Sequence, residues 1–442
     1  MDHWESNRGS HARNALLGCG ALWALAAAVL VFAHLLTSRE TGDLMTRWDA
    51  TFGSWGDTLE AWPSRGASLE ALDVEQRAAD LGIELAPTGS GRNGTRSTAA
   101  VALGAVRGPL AGYLVAALEN PDRRSVAAPA EVRSYLESAR PGLDALYARL
   151  RSGDPPRWER HLERNVQAPL PNLLGHVQIQ KLMLADAIDA VATGASERSD
   201  LALEASWRLN EALRDGPHLI ELLVALHITR QQAGAVRLLP APADVWAERM
   251  QSVRYTDKVI RSLALEGRML VEAIGAKAPP SGGVMAGTAQ LLTGPYRRQC
   301  AADSGGELLE RLERLSKLNH VCDRDLEALG ASLSWESPWW NKLGEVAVPS
   351  LSAAVRRAAR ADFDAELTAR LLRLDSEVGS GSGTAESFAA VVTASCPPVS
   401  WSVRTAEDGS LLFGPSRPVA WGPTLSGPAL PQTYRLGLSA PR

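Results

Sequence analysis

Residues 173–194 read LLGHVQIQKLMLADAIDAVATG, residues 199–216 read SDLALEASWRLNEALRDG, and residues 217–239 read PHLIELLVALHITRQQAGAVRLL. In each segment apolar residues return at intervals of three and four, the spacing that lines one side of an α-helix. Gly194 and Gly216 follow the first two runs, where a left-handed C-terminal cap is expected. Ser199 or Asp200 can cap the second helix, and Pro217 suits the first turn of the third. Three successive helices joined by short turns predict an all-α body.

Small residues at Ala187, Ala190, Ala202 and Ala205 allow the first two helices to approach closely. The order Ala187-x-x-Ala190, Gly194, Ala202-x-x-Ala205 is similar to a helical hairpin of the tetratricopeptide kind. The likeness covers one hairpin, with no second copy at a 34-residue period and without the Trp and Tyr of that consensus. It implies antiparallel hairpin packing and no repeat array.

Toward the N-terminus, ALLGCGALWALAAAVLVFAHLLT begins at Ala15 and carries no charged side chain, with His34 as its one ionisable ring. About 20 helical residues cross the ~30 Å hydrocarbon layer, so 14–37 is long enough to span it. Cleavable signal cores are shorter, about 7–15 residues, which favours a retained anchor over a removed one. Cys19 lies near the start of the run and not after it, unlike a lipidation site. Two arginines precede the span (Arg8, Arg13) and two follow it (Arg39, Arg47), so charge sets no direction. The short tail and long following body favour an N-in signal anchor with the body outside the cytoplasm.

Directly after the anchor, Met45, Trp48, Phe52, Trp55, Leu59 and Trp62 share one helical stripe ending at Pro63. This predicts a juxtamembrane helix that packs on the body, self-associates, or sets its aromatic rings at the lipid headgroups. Further on, 98–118 reads as an apolar helix, but Arg107 and Pro109 count against a second span. Short helices are expected at 130–139 and 141–150, a pair over 245–274, and amphipathic helices at 307–329 and 349–374. After the Gly-Ser break at 379–383, segments 401–404 and 411–413 flank Asp408-Gly409, a strong hairpin signal.

A hydrophobic content of 45% with 22% charged residues is that of a folded chain, and a net charge of −4 argues against nucleic-acid binding. Five lysines among 46 basic residues, with abundant alanine, predict a high-GC bacterial genome. No lysine follows a glycine, so no phosphate-binding P-loop is present. Neither HExxH, GxSxG nor SxxK occurs. His218, Glu221 and His227, or Asp186 and Asp189, share helical faces, but neither set has a full complement of metal ligands. His176 is expected in the core. Of four cysteines, Cys300 and Cys322 form a disulfide or stay as buried thiols, and Cys396 has no assigned partner. Thirteen tryptophans exceed the phenylalanine and tyrosine counts, and Trp335, Trp339 and Trp340 are the best candidates for a binding patch.

The expected organisation is a short tail (1–13), a transmembrane anchor (14–37), an aromatic juxtamembrane helix (38–64), an extracytoplasmic helical domain (65–376), and a linker with a small β-hairpin and proline-rich tail (377–442). The function expected is an envelope-facing scaffold or interaction module on the bilayer, with a protein partner or second copy, and with no cofactor, metal or catalytic residue. A candidate surface comprises Trp48, Phe52, Trp55, Trp62, Trp335, Trp339 and Trp340. The alternatives are a membrane-tethered enzyme acting on envelope glycan through carboxylates and a Trp-lined cleft, and a secreted helical protein with a cleaved signal.

Overall fold

The computed structural model describes residues 5–87, 97–239, 244–275, 284–317, 336–342, 351–379, 400–408, 410–419 and 428–436. The chain is mostly helical, with a small three-stranded sheet near its C-terminus. It divides into two compact units: one holds Met1–Thr58, Glu266–Glu313 and Trp335–Pro349, the other Leu59–Leu265, Arg314–Ser334 and Ser350–Arg442.

In the first unit, α1 runs unbroken from Glu5 to Phe52 and so contains the whole apolar run. Beside it lie the end of α10 (Tyr255–Gly275) and most of α11 (Val284–Ser316). Glycines set their spacing. A Cβ on Gly267 would stand 2.9 Å from the Trp48 ring, and one on Gly305 would stand 2.7 Å from Leu44 and 2.5 Å from Val271. Trp48 and Leu44 therefore fill space that any larger residue at those glycines would take.

The second unit holds α3 (Leu69–Asp80), α4 (Thr98–Leu118), α5 (Ala130–Ser152), α6 (Leu173–Ala192), α7 (Ser196–Arg214), α8 (Leu219–Val236), α9 (Asp244–Ser252) and α12 (Leu351–Gly379). Helix α6 packs on α7, α7 on α8, and α12 across α8 and α9. Between these apolar faces runs a buried polar ladder. The Ser206 hydroxyl donates to Gln180 Oε1 at 2.5 Å, and Gln232 Nε2 donates to Ser206 Oγ at 2.8 Å. Asn210 Nδ2 donates to Thr229 Oγ1 at 2.8 Å, and that hydroxyl meets Tyr255 Oη at 2.8 Å. Such a connected set fixes helix register, because sliding one helix would strand several buried polar groups.

Several boundaries differ from the periodicity reading. Gly194 is left-handed at φ +79, as expected, but Gly216 is not among the left-handed glycines of the described residues. Gly216 is small for another reason: a Cβ there would collide with Glu221 and stand 3.0 Å from Leu213 O. Helix α7 starts earlier, after Ala195, and Ser199 lies buried inside it, so neither Ser199 nor Asp200 is its cap. Helix α8 starts at Leu219 with His218 as N-cap, one residue beyond Pro217. The two short helices at 130–150 are one helix, since α5 passes through Pro141. The amphipathic segment at 307 is likewise the end of α11, which begins at Val284 and passes through Pro295. A proline removes one helical hydrogen bond, and tertiary packing of a long apolar face can outweigh that loss.

Helix α4 also runs straight through Arg107 and Pro109. Among the described residues it is long and apolar enough to cross a membrane by length and composition, with 33% of its apolar window buried. Its inward residues Leu103, Leu110, Tyr113, Leu114 and Leu118 belong to the core of the second unit. The Tyr113 hydroxyl donates to Val126 O at 2.9 Å.

The C-terminal hairpin is a three-stranded antiparallel sheet: β1 (Trp401–Thr405), β2 (Leu411–Pro415) and β3 (Tyr434–Leu436), in that order. Val403 pairs with Phe413, and Phe413 with Tyr434. Trp401 stacks between Phe363 of α12 (5.4 Å) and Phe413 (5.6 Å). Three guanidinium groups tie this segment down. Arg237 donates to Thr368 Oγ1 (2.8 Å), Tyr434 Oη (2.5 Å) and Asp364 O (2.6 Å). Arg360 reaches Leu430 O at 3.0 Å, and Arg230 reaches Pro428 O at 3.4 Å.

Asp364, 1% exposed, is the carboxylate at the centre of that cluster, 2.8 Å from Arg230, 3.0 Å from Arg360 and 3.5 Å from Arg237. Burial pushes its pKa up, but the three guanidinium groups outweigh burial and hold it below the ordinary carboxylate value. Its contribution to stability is therefore present above the unfolded carboxylate pKa and lost as pH falls through the depressed one. Asp364→Asn should cost about 3–5 kcal/mol, because it leaves buried guanidinium charge uncompensated. Urea unfolding at neutral pH measures this; an unchanged midpoint would remove the carboxylate from its central place.

Candidate interaction surface

The residues singled out for metal chemistry are engaged within the fold. Asp186 accepts from Tyr147 Oη at 2.8 Å and Arg198 Nε at 2.9 Å, and Asp189 accepts from the Ala128 amide at 2.8 Å. Burial raises the Asp186 pKa against the pull of Arg198 and Tyr147. His227 Nε2 meets Gln231 at 2.7 Å. The His218 amide donates to Glu221 Oε2 at 3.4 Å, as a helix N-terminus requires. Among the described residues no group of three or more His, Cys, Asp or Glu side chains could hold a metal ion. His176 is fully buried in the core, its ring edge-on to Trp158 at 4.9 Å.

The tryptophans part company. Trp48, only 1% exposed, is interior to the first unit. Its stripe is not one helix: Gly53 adopts φ +91, α1 stops at Phe52, and α2 covers Trp55–Ala61. Phe52 lies 6.4 Å from the Trp48 ring, and Trp55 carries the Arg268 guanidinium over its face at 5.6 Å. Trp62 is half-buried in the other unit. Trp335 lies outside the described residues, as do Cys322 and Cys396; Cys300 is buried in the first unit.

Trp339, by contrast, is 84% exposed. It sits on a turn clipped to α11 by Asn341, whose Nδ2 donates to Asp303 Oδ2 at 2.7 Å and Ser304 Oγ at 3.0 Å. The Tyr296 hydroxyl donates to Trp340 O at 2.8 Å, bringing that turn beside the α11 tyrosine.

Periodicity does not foretell how α1 and α11 join. Pro295 has no N–H, so the helical partner of the Leu291 carbonyl is missing. His34 Nε2 supplies it at 2.8 Å. Arg298 lies against His34 Nδ1; guanidinium only donates, so Nδ1 accepts and Nε2 carries the proton. Arg298 Nε also reaches Thr37 Oγ1 at 3.3 Å. Farther along, Leu44 faces Gly305 and Thr51 reaches Glu313 at 3.3 Å. The two helices thus run parallel in register.

Around this clasp the exposed large apolar residues are Leu25, Val29, Val31, Phe32, Leu35 and Leu36 on α1, and Leu291 and Leu292 on α11. The charged residues of α1 resume at Arg39 and those of α11 at Arg297. The chain matches no family model, no curated protein and no solved structure.

Proposed function

We propose that this chain is a membrane-anchored helical scaffold or protein-interaction module, fixed by α1 with its body on the extracytoplasmic side. The observation that carries the reading is the outward apolar surface of α1 between Leu25 and Leu36, within a run that has no charged residue from Ala15 to Thr37. Large apolar side chains on a soluble surface occur singly, and a continuous band of them marks a partner or a bilayer. Length selects the bilayer.

Helix α4 is the competing span. Its Leu110, Tyr113 and Leu114 cover the second unit's core, and drawing it into lipid would strip that core. This supports α1 as the anchor. The engagement of the candidate carboxylates and histidines in structural contacts supports a non-catalytic role.

The chain should stay in the pellet on alkaline carbonate extraction of membranes, and protease added to intact spheroplasts should degrade its body. Release by carbonate would refute anchoring, and protection in intact spheroplasts that is lost once detergent opens them would reverse the orientation.

A further inference from the structure

The apolar band does not stop at α1. We infer that the N-terminal end of α11 is a second membrane-embedded element, lying in the same lipid leaflet beside the anchor without crossing it. This rests on the anchor reading above and adds to it a surface outside the hydrophobic run.

Three observations converge. First, the sequence from Ala278 to Tyr296 holds 19 residues without a charge, and Leu291 and Leu292 at its described end are 54% and 61% exposed. The parallel register puts them level with His34, beside exposed Leu35 and Leu36. Second, the freed Leu291 carbonyl is closed by His34. A backbone carbonyl without a donor is tolerable beside water, whereas in hydrocarbon it costs several kcal/mol, and a side chain from a neighbouring helix commonly closes it. The anchor's single ionisable ring serves this purpose. Third, polarity is graded along α11. Apolar Leu291 and Leu292 come first, then Tyr296, whose hydroxyl meets the Trp339–Trp340 turn, then Arg297 and Arg298. Arg298 reaches back to His34 and Thr37, as an arginine at an interface does. Apolar residues, amphipathic aromatics and then arginines is the order from a leaflet's interior to its aqueous edge.

Depth follows from helix rise. From Leu291 back to Val284 is about 10 Å at 1.5 Å per residue. That enters one leaflet of a ~30 Å hydrocarbon layer and cannot cross it. The exposed ring of Trp339 then belongs at the headgroups, the lipid-facing role of an aromatic patch.

The test uses the full-length chain in phosphatidylethanolamine–phosphatidylglycerol vesicles, with a photo-crosslinking diazirine amino acid placed at Phe32, Leu292 or Thr46, and lipid adducts counted by mass spectrometry. Adducts at Leu292 should match those at Phe32, with none above background at exposed Thr46 beyond the charged collar. Adducts at Phe32 without any at Leu292 would overturn this inference and leave the anchor standing. Absence at both would overturn the anchor itself. Adducts at Leu292 without any at Phe32 would overturn the shared leaflet.

Discussion

Replacing Leu25 and Val29 together by aspartate should move the chain from the membrane pellet to the soluble fraction. The two positions lie four apart on one side of α1, near the middle of the apolar run, and are 62% and 60% exposed. No packed neighbour is lost, so the body should keep its helical circular dichroism. A charge near a bilayer-spanning helix centre costs about 2.5–3.5 kcal/mol on insertion scales, and two of them remove most of the gain from inserting a run of this length. The matching change on α4, Val101→Asp with Val115→Asp on its outward side (61% and 38% exposed), should leave fractionation unaltered. If the α1 pair still resists carbonate extraction, or the α4 pair releases the protein, the anchor has been placed on the wrong helix.

Acid should unfold the second unit earlier than carboxylate titration alone would. His176 and His218 are buried and His227 is half-buried in it, and burial lowers their pKa values from 6.5 to about 3, about 4 and about 4. Burial acts alone on His176; Arg160 adds to it at His218, and Lys181, Arg230 and Arg357 add to it at His227. A depressed folded pKa means that the unfolded chain binds the proton more readily. Each contribution is therefore complete above pH 6.5 and lost as pH falls toward the folded value. For His176 the loss by pH 4 is on the order of 3 kcal/mol, and the other two are comparable. Together they reach the range of a domain's whole stability, about 5–15 kcal/mol.

Far-UV circular dichroism against pH should show cooperative loss of helix between pH 6 and 4. His176→Leu removes the most deeply buried ring from the titration and should move the midpoint to lower pH. A chain with full helix at pH 4, or a His176→Leu midpoint that does not move, would exclude the histidines as the cause. Asp362 opposes the trend by an amount comparable to one histidine. Burial raises its pKa to about 6 against donors from Tyr255 and Thr256, so its contribution grows as pH drops through that value.

Much of the local structure was legible in the residues. Helices α6 to α8 follow from apolar spacing, the left-handed end of α6 from Gly194, and the β1–β2 pairing from Asp408-Gly409. These depend on contacts within a few positions, which a window of sequence contains. The errors have the opposite origin. Pro141 read as a boundary between two short helices, yet it lies inside α5, and the helix expected from 307 begins at Val284 and runs through Pro295. Strand β3 is three residues long and is ordered by β2 and by Arg237, nearly 200 positions away, so its own letters carry little signal.

The candidate surface divides the same way. By itself the sequence determined that α1 contains an apolar run long enough for a bilayer, because hydrophobicity and length are properties of consecutive residues. Only the tertiary structure decided which aromatics face outward: Trp48 is covered beside Gly267, and Trp339 stands clear on a turn held by Asn341. It alone also brought His34 to the carbonyl that Pro295 leaves unpaired, a pairing of residues 257 apart in sequence. A missing hydrogen bond can be read from one proline, but its replacement depends on which helix packs alongside.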